Sequence, residues 1–428
     1  MNKICIFDYG CIRRSLDANK IKKFFLLNNY ELTSNLKNAN LIIFVSCGFK
    51  KEQSDFCIKK IQKLKRYNKK MIVTGCLPSI EPSKLNKIFN GPKITTKNLY
   101  EFDEIFPKFE KKFNEIKDSN FLFKRNNHGF IREILQIDSD NYLNYNYTKG
   151  KIVNLFYRIE KNIIKYILGG KSLGYNWIYS KKYFIRVSWG CNSNCTYCNI
   201  NKAIGPLKSK PIKSCINEVK IGLEKGIKHF IITGDNTGSY GLDIGSNFSD
   251  LLNKITEIPE KFKIEIFDLN AGTIVNQNNE LQNIIKKNKI NHINIGLQSA
   301  SNRILRLMNR YSNVKKIKKV ILNIKKISPN IFISIYMMIG FPTENWKEFL
   351  DTLHFINETK IDGGIVNACS ISETSRAIYI KPNINKKEIN KRMKYCKKFL
   401  KKNGYNAFYL RKLNAIWFSK KYSIEDFD

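Results

Sequence analysis

The hydrophobic pattern of the first hundred residues alternates between short apolar runs and longer amphipathic stretches. The runs KICIFDY, LIIFVS and MIVTG have the length of strands, and SLDANKIKKFFLLNN and SDFCIKKIQKLKR carry apolar residues at helical spacing. Regular alternation of strands and helices predicts a parallel sheet with helices on its faces. We therefore predict a doubly wound parallel sheet for residues 1–105, in a chain of the α/β class.

A second alternating region begins at Tyr183. Strand patterns recur at YFIRVSW, HFIIT, KIEIFDL, HINIGL, ISIYMMIGF and GGIVNAC, with helical stretches such as CINEVKIGLEKG and NWKEFLDTLHFIN between them. Six such units are too few for a closed eight-stranded barrel, so we predict an open six-unit (β/α) barrel for residues 183–382. Its active site is expected at the carboxyl ends of its strands.

Two further regions are less regular. Residues 106–182 mix a charged stretch with an aromatic and basic one, and we predict a linker or insertion there. Its tyrosines beside lysines suit base stacking, but a packed helical insertion explains the same composition. Residues 383–428 are predicted to form a basic helix and a short apolar closing segment, which leaves no space for a further small domain.

The formal net charge of +39 changes the range of expected partners. A field of that sign attracts polyanions such as RNA. Lys, Asn and Ile are abundant along the whole chain, however, and nucleotide bias of the genome produces the same pattern, so charge alone leaves both explanations open. No apolar run approaches the roughly 20 residues that span a bilayer, and MNKICIFDYG lacks the pattern of a signal peptide. We expect a cytoplasmic monomer without membrane contact.

The chain contains eleven cysteines, which a reducing cytosol favours as metal ligands over disulfides. Cys11, Cys47 and Cys76 each directly follow one of the three predicted N-terminal strands. Because the carboxyl ends of parallel strands share one sheet edge, these three thiols are expected to meet there. Four other cysteines lack such a placement and are predicted to be structural: Cys5, Cys57, Cys369 and Cys396.

A second trio, Cys191, Cys195 and Cys198, lies in RVSWGCNSNCTYCNI, behind a predicted strand. A [4Fe–4S] cluster normally takes four thiolates, so three ligands leave one iron open to a substrate or cofactor. The alternative, tetrahedral zinc, needs a fourth Cys or His nearby, and none of the four histidines is suitably spaced. The spacing Cys-x3-Cys-x2-Cys, with Tyr197 before the last cysteine, therefore favours an open cluster.

This stretch resembles the motif CxxxCxΦC of the radical S-adenosylmethionine (SAM) superfamily, where Φ is aromatic. In that superfamily the amino and carboxylate groups of SAM bind the open iron, and an electron from the cluster cleaves SAM to a 5′-deoxyadenosyl radical. The resemblance implies a [4Fe–4S] cluster on the second trio, SAM as cofactor, Tyr197 close to both, and a small redox protein as electron donor.

Three further segments resemble superfamily loops and follow successive predicted strands: TGDNTGSYG, GLQSASNRILRLMNR and IGFPTEN. Thr343 replaces the second glycine of the GFPGE pattern that the last of these resembles. The resemblance implies SAM or substrate-channel contacts for Asp235, Asn236, Tyr240, Gln298, Ser299, Arg303, Gly340, Phe341 and Pro342.

The N-terminal trio resembles that of the methylthiotransferases, which hold a second open cluster on three cysteines after strands. The resemblance implies two [4Fe–4S] clusters facing one cavity, and insertion of a methylthio group into an unactivated C–H bond. The chain departs from the family at Arg14, where the family has Asn, and at Val45-Ser46, where it has Asn-Thr. The family's C-terminal TRAM domain is not expected here.

For the substrate we expect a tRNA adenosine near the anticodon, as in most of the family. A ribosomal protein or small peptide is the alternative, favoured by the segments GFK and VTGCLP and by the expected lack of a TRAM domain. Another radical SAM reaction is expected if the altered surroundings of Cys11 and Cys47 abolish sulfur insertion. An RNA-binding module with purely structural clusters is a further alternative.

Overall fold

A computed structural model of the chain describes residues 2–123, 182–410 and 413–420. The described residues form two mainly parallel sheets with packed helices, which confirms the α/β class. Residues 124–181 of the predicted linker and the last eight residues of the predicted closing segment lie outside the described part. The domain limits drawn from the sequence remain predictions.

Fourteen strands are present in the described residues. They are β1 (Asn2–Asp8), β2 (Tyr30–Leu32), β3 (Leu41–Ser46), β4 (Lys70–Gly75), β5 (Lys93–Thr95), β6 (Tyr183–Trp189), β7 (Lys208–Ser209), β8 (His229–Gly234), β9 (Lys263–Asn270), β10 (Ile290–Gln298), β11 (Phe332–Ile339), β12 (Gly363–Ala368), β13 (Asn406–Leu410) and β14 (Ala415–Ser419).

The α-helices of the same residues connect these strands. They are α1 (Ile12–Leu27), α2 (Lys51–Lys65), α3 (Leu77–Ile80), α4 (Pro82–Asn86), α5 (Glu101–Ile105), α6 (Ile200–Ile204), α7 (Ile212–Glu224), α8 (Phe248–Thr256), α9 (Ala271–Asn276), α10 (Asn278–Lys286), α11 (Asn302–Leu307), α12 (Val314–Ile327), α13 (Trp346–Glu358) and α14 (Lys386–Lys402).

The N-terminal sheet is entirely parallel, in the order β2-β1-β3-β4-β5. Successive residues of β3 point to opposite faces: Ile43 packs in a core with Phe24 of α1, whereas Ile42 packs with Ile61 of α2. Helices therefore cover both faces, which confirms the doubly wound sheet. The edge strands β2 and β5 were not predicted, because three residues are too few to show a period.

The second sheet contains six parallel strands in the order β12-β11-β10-β9-β8-β6, followed at that end by the antiparallel strand β7. The two outermost parallel strands do not pair with each other, so the barrel is open, as predicted. The predicted C-terminal helix is α14, and the apolar segment after it forms an antiparallel hairpin, β13–β14, on the edge of β12. No helix within the described ranges is long and apolar enough to cross a membrane.

The first sheet is attached to the barrel by α1. Leu16 of this helix lies in one apolar cluster with Phe184, Ile231 and Phe267 of three barrel strands. Since β6, β8 and β9 are neighbours, α1 packs across one side of the barrel. The loop before α1 contains Cys11, and this packing therefore decides how the N-terminal cysteines approach the barrel.

Candidate active site between the two sheets

The loop that carries Cys191, Cys195 and Cys198 begins at Gly190, directly after β6. Gly190 has φ +73°, and a Cβ there would lie 1.8 Å from the carbonyl oxygen of Pro206. Only glycine fits this backbone position without displacing the neighbouring loop. The close approach turns the chain from the strand end into the cysteine loop.

Hydrogen-bond donors surround the sulfur atoms of this loop. Asn236 donates its amide to Cys191 Sγ at 3.4 Å, and the backbone N–H of Ser193 donates to the same sulfur at 3.3 Å. Arg310 Nη1 lies 3.5 Å from Cys195 Sγ. Such donors stabilise thiolates and tune the potential of a bound cluster.

Cys198 is half-buried, and the protein around it opposes ionisation of its thiol in the absence of a metal. Burial raises the pKa of its thiol to about 11, and the backbone N–H groups of Ile200 and Asn201 act in the opposite direction. A bound iron removes this cost because a coordinating thiol is deprotonated outright. The two N–H donors are therefore placed where a thiolate ligand would need them.

The N-terminal trio lies at one edge of its sheet, as the strand pattern predicts. Cys11 is exposed, Cys47 is half-buried and Cys76 is buried. Cys76 donates its backbone N–H to the carbonyl of Ser46 at 3.2 Å, and the hydroxyl of Ser46 donates to the carbonyl of Thr74 at 2.6 Å. Ser46, one of the departures from the family, thus connects the ends of β3 and β4.

The predicted core cysteines have the expected burial in most cases. Cys5, Cys57 and Cys396 are buried, and Cys369 is half-buried. Cys57 also contacts the site, since its sulfur accepts the backbone N–H of Cys47 at 3.4 Å. Cys57 therefore helps to fix the backbone position of Cys47.

One cysteine of each trio lies at the same apolar cluster, where the two sheets pack together. Cys76 shares one apolar cluster with Ile80 of α3 and with Ala203 and Ile204 of α6, and Cys191 packs against the same cluster. No three Cys, His, Asp or Glu side chains in the described ranges are grouped closely enough to hold a single metal ion. A [4Fe–4S] cluster binds each thiolate to a different iron and takes ligands that are more widely spaced.

Asp235 and Asn236, both implied as SAM or substrate contacts, have different partners in the structure. Asn236 lies against the cysteine loop, with bonds to Cys191 Sγ and to the hydroxyl of Ser193 at 2.9 Å. Asp235 is instead paired with arginines and accepts the backbone N–H of Gly190 at 3.1 Å. Its carboxylate is already occupied by the protein.

The three implied contact residues after β10 differ in their surroundings. Gln298 has φ +83° and lies close to Gly296, whose carbonyl accepts from Arg310. Ser299 is fully buried, and its hydroxyl accepts the backbone N–H of Ser301 at 3.1 Å. Arg303 pairs with Glu348 at 2.6 Å and donates to the carbonyl of Thr343 at 2.8 Å, so its guanidinium joins two loops of the barrel.

The segment after β11 is packed against the C-terminal helix. Gly340 has φ +84°, and a Cβ there would lie 2.6 Å from a side-chain carbon of Ile389 in α14. Phe341 belongs to the barrel core, and Pro342 is also buried. These contacts explain the residue types by packing, and the implied SAM contacts of the segment remain predictions.

Arg310 is a site residue that the sequence interpretation overlooked. Its guanidinium contacts Cys195, donates to the hydroxyl of Tyr197 at 3.3 Å and donates to the carbonyl of Gly296. Arg310 is the last residue of GLQSASNRILRLMNR, so the available signal lay at the end of that motif and not at its centre, where Arg303 stands.

The residues around the second trio fit a cluster with SAM. The side-chain oxygens of Asn199, next to Cys198, and of Thr237, next to Asn236, are buried without a hydrogen-bond partner in the described structure. Buried polar atoms of this kind are normally satisfied, so both are suited to accept from the polar groups of a cofactor. The second trio thus offers three thiols as iron ligands, N–H donors to their sulfur atoms, and unpaired acceptors for the polar groups of SAM.

Comparison with known proteins agrees with the site. The family model of the Radical SAM superfamily matches residues 185–356, and that of Uncharacterized protein family UPF0004 matches residues 3–95. The first range includes the whole barrel cysteine loop, and the second includes all three N-terminal cysteines. The chain therefore contains a Radical SAM superfamily domain and a UPF0004 domain, and the relatives that it matches are methylthiotransferases. The radical SAM domain implies a [4Fe–4S] cluster and SAM.

Three relatives illustrate the range of the family. A probable threonylcarbamoyladenosine tRNA methylthiotransferase of Methanocaldococcus jannaschii is 26% identical over 84% of this chain and 74% of its own length. The ribosomal protein uS12 methylthiotransferase RimO of Thermoanaerobacter sp. is 25% identical over 95% and 84%, respectively. A tRNA-2-methylthio-N(6)-dimethylallyladenosine synthase of Clostridium botulinum is 26% identical over 86% and 75%.

A solved structure shares the arrangement of the fold. The radical S-adenosylmethionine methyltransferase TsrM from Kitasatospora setae superposes with a TM-score of 0.54, covering 86% of this chain and 73% of TsrM. The sequences are only 12% identical, so this likeness concerns the fold alone.

Proposed function

We propose that this chain is a radical SAM methylthiotransferase that holds two [4Fe–4S] clusters, one on each cysteine trio, and modifies a tRNA adenosine near the anticodon in the cytoplasm. The observation that carries the proposal is the apolar cluster shared by Cys76 and Cys191. These residues belong to different trios and different sheets. Their common packing supports a single reaction space between a radical source and a sulfur source.

The bound clusters and SAM would supply the radical that removes hydrogen from the substrate and the sulfur and methyl group that replace it. Cys191, Cys195 and Cys198 would hold the first cluster, and Cys11, Cys47 and Cys76 the second. Asn236 and Arg310 hydrogen-bond to sulfur atoms of the second trio, Cys191 and Cys195, and orient them. The apolar side chains between the trios keep solvent out, so that dissolved hydrogen-atom donors cannot reach and quench a radical.

The names of the relatives and the charge support a tRNA substrate. Two of the three relatives described above are named for tRNA modification. Phosphate contacts give a basic protein sequence-independent affinity for RNA. The lysines are spread over outer helices such as α2, α12 and α14, and this dispersal means that the charge supports the proposal less strongly than the relatives do.

The decisive experiment compares nucleosides from total tRNA of cells with and without the gene. We expect 2-methylthio adenosines to disappear without the gene and to return with the wild-type gene. Genes with Cys195→Ala or Cys47→Ala should fail to restore them, whereas the matched control Cys5→Ala, which changes a core cysteine of the N-terminal sheet, should restore them. An identical digest in both strains would refute the tRNA substrate.

A polypeptide substrate is the second candidate, and coverage by one relative favours it. The uS12 methylthiotransferase matches 95% of this chain, more than the two tRNA-modifying relatives described above. Mass spectrometry of ribosomal protein uS12 from the same two strains tests this candidate. A methylthio group lost from uS12 together with an unchanged tRNA digest would replace the first proposal by the second.

A further inference from the structure

Six charged side chains lie between α1 and the barrel, close to the loops of Cys11 and Cys191. They are Arg13, Arg14 and Asp17 of α1, Arg186 of β6, Asp235 after β8 and Asp268 of β9. Their side chains are between 3% and 26% exposed. We call them the ion cluster. Three guanidinium groups balance three carboxylates, so the ion cluster adds no net charge.

Asp235 connects the two sheets through its two carboxylate oxygens. Its Oδ1 lies 3.2 Å from Arg13 Nε and 3.4 Å from Arg14 Nη2, both of α1. Its Oδ2 lies 3.3 Å from Arg186 Nη2 and accepts the backbone N–H of Gly190 at 3.1 Å, both in the barrel. One oxygen therefore binds the N-terminal sheet's helix and the other binds the barrel.

Asp17 also connects α1 with the barrel, but here the carboxylate belongs to α1. It stands on α1, where its Oδ2 lies 3.2 Å from Arg14 Nε, and its Oδ1 accepts from Arg186 Nη1 of the barrel at 2.6 Å. Arg13 also reaches across, to Asp268 of β9. Since each side supplies both charges, a shift of α1 along the barrel would break several pairs at once.

The ion cluster ends at the cysteine loops on both sides. Arg13 and Arg14 follow Cys11 by two and three residues, and Gly190 directly precedes Cys191. Asn236, the neighbour of Asp235, donates to Cys191 Sγ at 3.4 Å. The Asp235 carboxylate thus binds both Gly190, just before Cys191, and the arginines that follow Cys11.

Stability alone does not explain this arrangement. Desolvation of buried charges offsets much of the attraction between them, and apolar residues of similar size often stabilise an interface at least as well. The same interface already contains the apolar cluster of Leu16 and Phe184. Burial alone would raise the pKa of Asp235, but Arg14, Arg186 and Arg13 lower it, so the carboxylate is ionised and directional. The gain from the ion cluster is a defined geometry.

We propose that Asp235, Arg14 and Arg186 are positioning residues. They fix the distance and orientation between the Cys11 and Cys191 loops. The inference rests on the proposed function in one respect, namely that a metal cluster occupies each loop. Geometry between the reacting groups is the quantity that these residues control.

The first test uses the full chain without metal and measures backbone hydrogen exchange by mass spectrometry. In Asp235→Asn we expect exchange to accelerate roughly tenfold or more in both residues 9–14 and residues 190–198, because the hydrogen bonds on both sides lose the carboxylate charge and one of them loses its acceptor. The matched control is Glu265→Gln, which removes a buried carboxylate from β9 that pairs with Lys182 at 2.7 Å. It should leave both segments at wild-type rates.

The second test uses the full chain reconstituted with iron and sulfide under anaerobic conditions and then reduced. Magnetic coupling between two reduced clusters, measured by electron paramagnetic resonance, reports their separation. We expect coupling in the wild type and in Glu265→Gln, and weakened coupling in Asp235→Asn and Arg14→Gln at unchanged iron content. A general loss of stability would not change the coupling of the chains that remain folded.

Unchanged exchange in both segments, or unchanged coupling with both clusters present, would overturn the proposal. If Asp235→Asn does not fold, Arg13→Gln replaces it, since Arg13 is 19% exposed and its loss removes only the outer pairs to Asp235 and Asp268. The proposed function fails separately: a wild-type chain that binds about four irons instead of about eight lacks the second cluster, whatever the exchange experiment shows.

Discussion

Arg310 Nη1 lies 3.5 Å from Cys195 Sγ and places a permanent positive charge directly behind the central cysteine of the barrel loop. The same nitrogen also donates to Tyr197 Oη at 3.3 Å. A cation and hydrogen bonds at a ligand sulfur stabilise the reduced, more negative state of an iron–sulfur cluster. Arg310 therefore connects the geometry of this loop with its redox properties.

Replacement of this arginine should change the reduction potential. In Arg310→Gln we expect a more negative midpoint potential of the barrel cluster and activity lower by about 10–100-fold. A potentiometric titration followed by electron paramagnetic resonance, with 5′-deoxyadenosine formation as a second measurement, checks this. Arg306→Gln changes an exposed arginine on the same stretch and should behave like the wild type. Equal potentials in the two variants would show that Arg310 has no such role.

The cysteine trios should account separately for the bound iron. Cys47→Ala is expected to reduce the iron content of reconstituted protein from about eight to about four per chain, while SAM cleavage continues. Cys195→Ala should also lose about four irons and should abolish SAM cleavage as well. Iron analysis and 5′-deoxyadenosine formation measure these outcomes.

The control for this series is Cys5→Ala, in the core of the N-terminal sheet. It should keep the full iron content and lose about 1 kcal/mol of unfolding free energy, because it leaves a small cavity. Burial raises the pKa of the Cys5 thiol to about 12, which agrees with a packed, neutral side chain. Iron loss in this variant equal to that in Cys47→Ala would contradict the assignment of ligands.

Gly190 offers a test of the turn that leads into the barrel loop. In Gly190→Ala the new Cβ would lie 1.8 Å from the carbonyl oxygen of Pro206, and φ is +73°. We expect a loss of roughly 3 kcal/mol or more in unfolding free energy, together with poorer cluster retention. Denaturant unfolding and iron analysis measure the two effects.

Gly226→Ala separates the two causes of that loss. Gly226 has nearly the same φ, +76°, but a Cβ there meets nothing within 4 Å. Its replacement should cost only about 1 kcal/mol, from the backbone conformation alone, and should leave cluster retention unchanged. If both variants lose the same stability, the close approach to Pro206 has no energetic weight.

Lys50 provides a prediction on pH. Its ammonium group, three residues after Cys47, donates to Asn367 Oδ1 at 2.7 Å and to the carbonyl of Leu413 at 2.9 Å, across the interface. Burial lowers the pKa of Lys50 from 10.5 to about 8. Between these values the unfolded chain holds a proton that the folded chain has released, so folded stability rises as pH increases.

The comparison of wild type with Lys50→Met isolates this titration. The unfolding free energy of the wild type should increase relative to that of Lys50→Met by about 3 kcal/mol between pH 8 and pH 10.5. Below pH 8 the difference should be constant, because both states of the wild type are protonated. Denaturant unfolding at several pH values measures it, and a difference that stays constant above pH 8 as well would exclude a titrating Lys50.

Much of the fold could be read from periodicity. The strands and helices of both regions, the doubly wound sheet and the open barrel all follow from local alternation. The short strands β2 and β5 and the pairing of β13–β14 with β12 could not be predicted, because three residues show no period and an edge pairing depends on distant partners.

The placement of polar residues around the site was less accessible to sequence reasoning. Arg303 and Arg310 stand seven positions apart in one motif, and the structure directs the first to Glu348 and the second to Cys195. Nothing in their immediate neighbours distinguishes the two arginines. Likewise, Ser46 appears as a mere departure from the family until its hydroxyl is seen to connect two strand ends.

The sequence by itself determined the order of the elements, the position of each cysteine at a strand end and the family, because these depend on short-range patterns and fixed spacings. The tertiary structure alone decided which charges meet. Arg14 and Asp235 are 221 residues apart, and Arg186 and Asp17 are 169 apart, yet they pair at one interface. Such pairs arise only when the two sheets pack together, and no local pattern encodes their distance.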